Sequence, residues 1–134
     1  MRGRRPDLGS AGMDPAEDLL RRLAFNDEKV LGMILTRRVG AEREAELSPK
    51  MELLVRLAAL LSVGAATPSL REAVDQAVAA GATSSEIVGV LVAVGPTIGL
   101  AGVVACAPRL ARAIGYDLEN GHAAAREDPP GPPV

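Results

Sequence analysis

Apolar residues along this chain recur at helical spacing, and each apolar stretch is bracketed by residues that start or stop a helix. Val30, Leu31, Ile34 and Leu35 share one face of a helix. So do Leu53, Leu54, Leu57, Leu60 and Leu61, and then Leu70, Ala73, Val74, Ala77 and Val78. Asp14-Pro15-Ala16-Glu17 supplies an N-cap, a proline in the first turn and an acidic residue behind it, which predicts a short helix ending near Phe25. Asn26 or Asp27 caps the second helix, which ends before Gly40. Ser48-Pro49 opens the third, and Gly64 stops it. Thr67-Pro68 repeats the cap-then-proline signal for a fourth helix that ends at Gly81. Thr83-Ser84-Ser85-Glu86 reads as a capping box for a fifth helix reaching about Val94. Gly95-Pro96 predicts a kink or break, and a last helix runs from about Thr97 to Ile114, closed by Gly115. The expectation is an all-α bundle of about six helices, since no segment alternates as a strand does and no internal repeat is visible.

The stretch from Ile87 to Pro108 contains no charged residue, and Thr97 is its one conspicuously polar position. It meets the length of about 20 apolar residues that a membrane-spanning helix needs. Gly95 and Gly99 also have the small-xxx-small spacing of membrane helix pairs. Three features favour a buried core instead. The Gly95-Pro96 break falls inside the run, the run is rich in Gly and Ala and poor in Leu, and the third and fourth helices need a partner for their apolar faces. The expectation is therefore a protein of the cytosol that does not enter a membrane.

Composition sharpens this picture. Phe25 and Tyr116 are the only aromatic residues among 134, and there is no tryptophan. Such a core is built from Ala, Val, Leu and Ile, and small side chains each bury little area. Further burial at a subunit interface is the simplest remedy, so a homo-oligomer is expected. A formal net charge of −2 gives no field that favours nucleic acid. Cys106 is the only cysteine, which excludes an internal disulfide and fits a reducing compartment. Arg2, Arg4 and Arg5 have no apolar stretch behind them, as a signal peptide would. Residues 1–12 and 119–134, rich in Gly, Pro and charge, read as disordered tails around a single domain over 13–118.

Three segments carry a family resemblance: Leu47-Ser48-Pro49-Lys50-Met51-Glu52-Leu53-Leu54, then Ala79-Ala80-Gly81-Ala82-Thr83-Ser84-Ser85-Glu86-Ile87, then Val90-Leu91 through the glycine-broken stretch to Gly99. In order and spacing, residues 45–115 resemble the carboxymuconolactone decarboxylase family, which includes the alkyl hydroperoxidase D-like proteins. The resemblance implies an all-α fold of helix hairpins that assembles as trimers or hexamers. It also implies where chemistry would sit. The family's Cys-x-x-Cys-x-x-x-His pattern falls at Ala66, Ser69 and Ala73, its second histidine at Ala93, and its tyrosine at Thr97. A thiol peroxidase needs an activated thiolate and a resolving thiol, and a decarboxylase needs a proton donor and a cationic group. The residues at these positions supply neither set.

Glu52 matches the family's glutamate near the start of the third helix, or simply complements the helix dipole. Arg56 stands four residues on, at the spacing of a surface ion pair. Arg71 and Glu72 flank the position of the missing histidine and are placed to meet a carboxylate. Thr97 either lines a cavity or satisfies backbone groups freed by Pro96. Glu52, Arg71 and Thr97 are thus the pocket candidates. His122, the single histidine, lies in the C-terminal tail, and no His, Cys or carboxylate spacing suggests a metal site or a cofactor. Two functions compete. One is a non-catalytic, oligomeric helical protein binding a small apolar or carboxylated ligand or a protein partner. The other is an enzyme of altered chemistry on a small carboxylated or lactone substrate, and a thiol peroxidase is the least supported.

Overall fold

The computed structural model describes residues 14–39 and 47–116, which fall into two units. The expected tails, Gly40 and His122 lie outside the described residues. Five helices and no strand are found among the described residues: α1 (Pro15–Ala24), α2 (Glu28–Leu35), α3 (Pro49–Ser62), α4 (Thr67–Ala79) and α5 (Ser84–Ile114).

The first unit is an α1–α2 pair. The Asp14 side chain accepts from the Ala16 N–H and Asp27 accepts from the N–H groups of Lys29 and Val30, so Asp27 is the cap of α2. Asn26 takes a left-handed conformation (φ 57°) that ends α1. Arg21–Glu17 and Arg22–Asp18 pairs at i,i+4 lie along the exposed side of α1. Val30 is the one buried residue of these two helices. Ile34 and Leu35 share its predicted stripe but are exposed.

The second unit is built on α3, α4 and α5, each in contact with the other two. Leu53, Leu57 and Leu61 from α3 meet Leu70, Val74 and Ala77 from α4, and Ile87, Cys106, Leu110, Ala111 and Ala113 from α5 complete the core. Burial of each of the larger side chains contributes about 1.5–3 kcal/mol. The alanines let the helices approach closely. Of the predicted stripes of α3 and α4, Leu53, Leu57, Leu61, Leu70, Val74 and Ala77 are inward, Leu54, Leu60 and Ala73 are half-buried, and Val78 is exposed.

The helix ends follow local chemistry. Ser48 caps α3 through the Met51 N–H. At the far end of α3 the Ala65 N–H reaches the Leu60 carbonyl and the Gly64 N–H reaches the Leu61 carbonyl, and α4 closes the same way through Gly81 and Ala82. Both turns need a residue at positive φ, which glycine adopts without steric cost. One start differs from expectation: α4 begins at Thr67, and Ala66 occupies the cap position with no side-chain bond. Thr67 is thus drawn into the first turn.

The break expected at Gly95-Pro96 is displaced to Gly99, and α5, the last of five helices, is two helical legs joined by a kink. The helical path continues through both residues and turns at Gly99, whose φ of 78° and ψ of 175° are the only non-helical values inside α5. Proline removes one hydrogen bond but has a helical φ. Gly99, by contrast, occupies a region of backbone space open essentially to glycine alone. The bend is sharp. A β-carbon built on Gly95 would lie 3.5 Å from Val103 Cγ2, whereas residues eight apart in a straight helix are separated by about 12 Å.

Candidate functional site

The short connection between α3 and α4 folds these helices back on one another, and a groove of about 330 Å³ lies between them, open to solvent. Arg56 and Leu60 line it from α3, and Ser69, Glu72, Ala73 and Gln76 from α4. The four α4 residues stand at i, i+3, i+4 and i+7, which places them on one helical face. Gln76 Nε2 donates to Glu72 Oε1 at 3.4 Å. The groove thus offers a guanidinium, a carboxylate, an amide and a hydroxyl around Leu60 and Ala73. This is an assortment suited to holding a small polar molecule with a short apolar part. It contains no thiol and no imidazole. Among the described residues no group of three His, Cys, Asp or Glu is placed to hold a metal ion.

Two of the positions singled out for missing chemistry, Ser69 and Ala73, are in this groove, together with Arg56 and Glu72. The three pocket candidates are elsewhere. Glu52 is buried at 8% exposure in the first turn of α3, Arg71 is exposed on α4, and Thr97 is exposed just before the bend of α5. None of them lines the groove. Gln76 was not singled out from the sequence, although its spacing from Ser69 and Glu72 on a helix already signalled a shared face.

Away from the groove, two side chains one turn apart on α5 fasten its second leg to the end of α3. The Cys106 thiol is buried and donates to the Leu61 carbonyl at 3.1 Å. The Arg109 guanidinium donates to the Gly64 carbonyl at 3.1 Å and the Ala65 carbonyl at 3.5 Å. A cation at a helix C-terminus also meets the negative end of the helix dipole. Cys106 is in this respect a structural residue.

At the start of α5 the capping box is complete. The Thr83 N–H donates to Glu86 Oε1 at 3.0 Å and the Glu86 N–H donates to Thr83 Oγ1 at 3.1 Å. The other carboxylate oxygen of Glu86 takes an ion pair from Lys50 Nζ at 3.0 Å, tying the first turn of α3 to the first turn of α5. The Thr83 N–H and the Lys50 ammonium hold the Glu86 carboxyl below its ordinary pKa.

The uncharged run is covered on one side only. Between Ile87 and Pro108 only Ile87 and Cys106 are buried. Val92, Leu100 and Val104 are 71%, 81% and 62% exposed. The expectation that α3 and α4 would bury the run is met only at Ile87 and Cys106, and the rest of its inward side, such as Leu91, Val94, Ile98 and Val103, is half-buried. The reason is geometric: two helices shield one flank of a bent third helix. By length and composition α5 is also long and apolar enough to cross a membrane. Set against protein-family models, curated proteins and solved structures, the chain matches none of them.

Proposed function

We propose that this chain is a homo-oligomeric helical protein of the carboxymuconolactone decarboxylase-like type. In this reading it works in the cytosol, binds a small carboxylated molecule in the α3–α4 groove and performs neither the decarboxylase nor the peroxidase reaction. The observation that carries this reading is the groove itself. It opens at Ser69 and Ala73, where the resemblance would put a thiol and an imidazole, and it keeps a cation, Arg56, beside an apolar wall. Binding survives such replacements, and chemistry that needs a thiol or an imidazole does not.

Calorimetric titration with short-chain carboxylates and their primary amides tests it. Carboxylates should bind, and the amides should bind at least roughly tenfold more weakly, as expected for loss of a charge-assisted hydrogen bond. Arg56→Met should erase the difference, and Ala73→Leu, which fills the groove, should abolish both. Equal binding of acid and amide to the wild type would remove the basis for the proposal.

The burial of Glu52, one turn before Arg56 on α3, favours a second reading, an enzyme of altered chemistry on a carboxylated substrate or a lactone. That reading requires turnover that disappears in Glu52→Gln. Substrate persisting unchanged with the wild type eliminates it.

A further inference from the structure

On the first leg of α5, Val88, Val92 and Pro96 follow one another at i+4 spacing on the exposed side, and Leu100 and Val104 continue the exposed apolar surface beyond the bend. We infer that a second copy of this chain covers this face. The inference rests on the homo-oligomeric reading proposed above and names the surface that carries it.

The charges that bound the run are already engaged within the chain, Glu86 by Lys50 and Thr83, and Arg109 by the carbonyls of Gly64 and Ala65. Nothing between them is ionised. A charged partner surface laid on this face would lose its hydration without compensation. The matching surface is one equally free of charge, and the chain itself presents such a surface in every copy.

Residue types agree with this. Between Val88 and Ala107 the exposed side of α5 is made of Val, Leu, Ala, Gly and Pro with the single hydroxyl of Thr97, and it carries no charge and no aromatic residue. Interfaces between permanently associated copies resemble a domain core cut in two.

The bend argues against lipid as the occupant. Each apolar leg is only about 15 Å long, half of the ~30 Å hydrocarbon layer. The bent form therefore inserts its apex without crossing.

The test is sedimentation equilibrium of the full chain, wild type and variants, over a wide concentration range. The wild type should self-associate. Val92→Glu should weaken association by roughly a hundredfold, since it buries an unpaired carboxylate at the contact. Leu100→Ser should weaken it by roughly tenfold. Both positions are solvent-exposed in the single chain, so circular dichroism should be unchanged. If Val92→Glu fails that check, Leu100→Ser alone decides. Val78→Glu, on the exposed side of α4, should associate like the wild type. If the wild type and both α5 variants associate equally, another face is used: the inference is overturned and the homo-oligomeric reading stands. A wild type that stays monomeric throughout overturns both. A monomer that floats with phosphatidylcholine–phosphatidylglycerol vesicles, and loses them in Val92→Glu, gives the face to lipid and overturns the inference.

Discussion

Glu86 serves two elements with one carboxylate: one oxygen completes the capping box of α5 and the other holds Lys50 of α3. Because these partners lower its pKa in the folded chain, the stabilisation it brings is present above its unfolded-state pKa. It is lost as the pH falls through the lower folded value. Glu86→Gln should therefore be less stable than the wild type at neutral pH, and the two urea midpoints should converge under acid conditions. Midpoints that stay parallel across that range would show that the carboxylate does not matter. Cys106 makes the opposite point about a residue with reactive chemistry. Its thiol is enclosed and bonded to the Leu61 carbonyl, which is poor ground for a peroxidatic thiolate. Native protein should react with an aromatic disulfide reagent only after urea is added, and Cys106→Ser should leave any peroxide consumption unchanged. Rapid labelling of the native thiol, with peroxide reduction lost in the serine variant, would restore the peroxidase reading.

Among the elements, α5 departs most from what its sequence foretells, and its bend reverses a usual rule about glycine. In an ordinary helix interior, replacing glycine by alanine stabilises by about 0.5–1 kcal/mol. A β-carbon on Gly102 would sit 2.9 Å from Ile98 Cβ, an atom fixed to the backbone that cannot swing away. Gly102→Ala should thus destabilise, and Gly99→Ala should cost about 1–3 kcal/mol through its backbone angles. Gly32 in α2 has open space around it, so Gly32→Ala should instead slow amide exchange along α2. Urea midpoints for the α5 variants and exchange for α2 check the signs. The contrast explains what was legible in the chain. The caps Asp27, Ser48 and Thr83 and the stops Gly64 and Gly81 are decided within a few residues, so their side chains announce them. The choice between Gly95-Pro96 and Gly99 as the turning point is made by how the two legs meet, through Gly95 against Val103 and Gly102 against Ile98. No local motif encodes that. The groove was half legible for a similar reason. Arg56, Glu72 and Ala73 were singled out, yet the pairing of α3 with α4 decides that they meet Gln76 while Glu52, Arg71 and Thr97 stand apart.

In the second unit taken whole, the core sits on the inward sides of three helices, and its one long apolar helix keeps a bare flank. Small aliphatic side chains make this arrangement: they allow tight packing of α3, α4 and α5 but enclose little volume per residue. The groove and the bare flank lie on different elements, so ligand binding and self-association separate cleanly in variants. Arg56→Met should leave the sedimentation of the protein unchanged, and Val92→Glu should leave carboxylate titration unchanged. The clasp of Cys106 and Arg109 on the end of α3 has a further consequence for how the chain acquires its shape. Its bonds join positions 45 residues apart, and closing so long a loop is slow compared with forming a helix. During synthesis the carbonyls at the end of α3 must wait for the last leg of α5 to emerge. The earliest-made helix of this unit is therefore completed last.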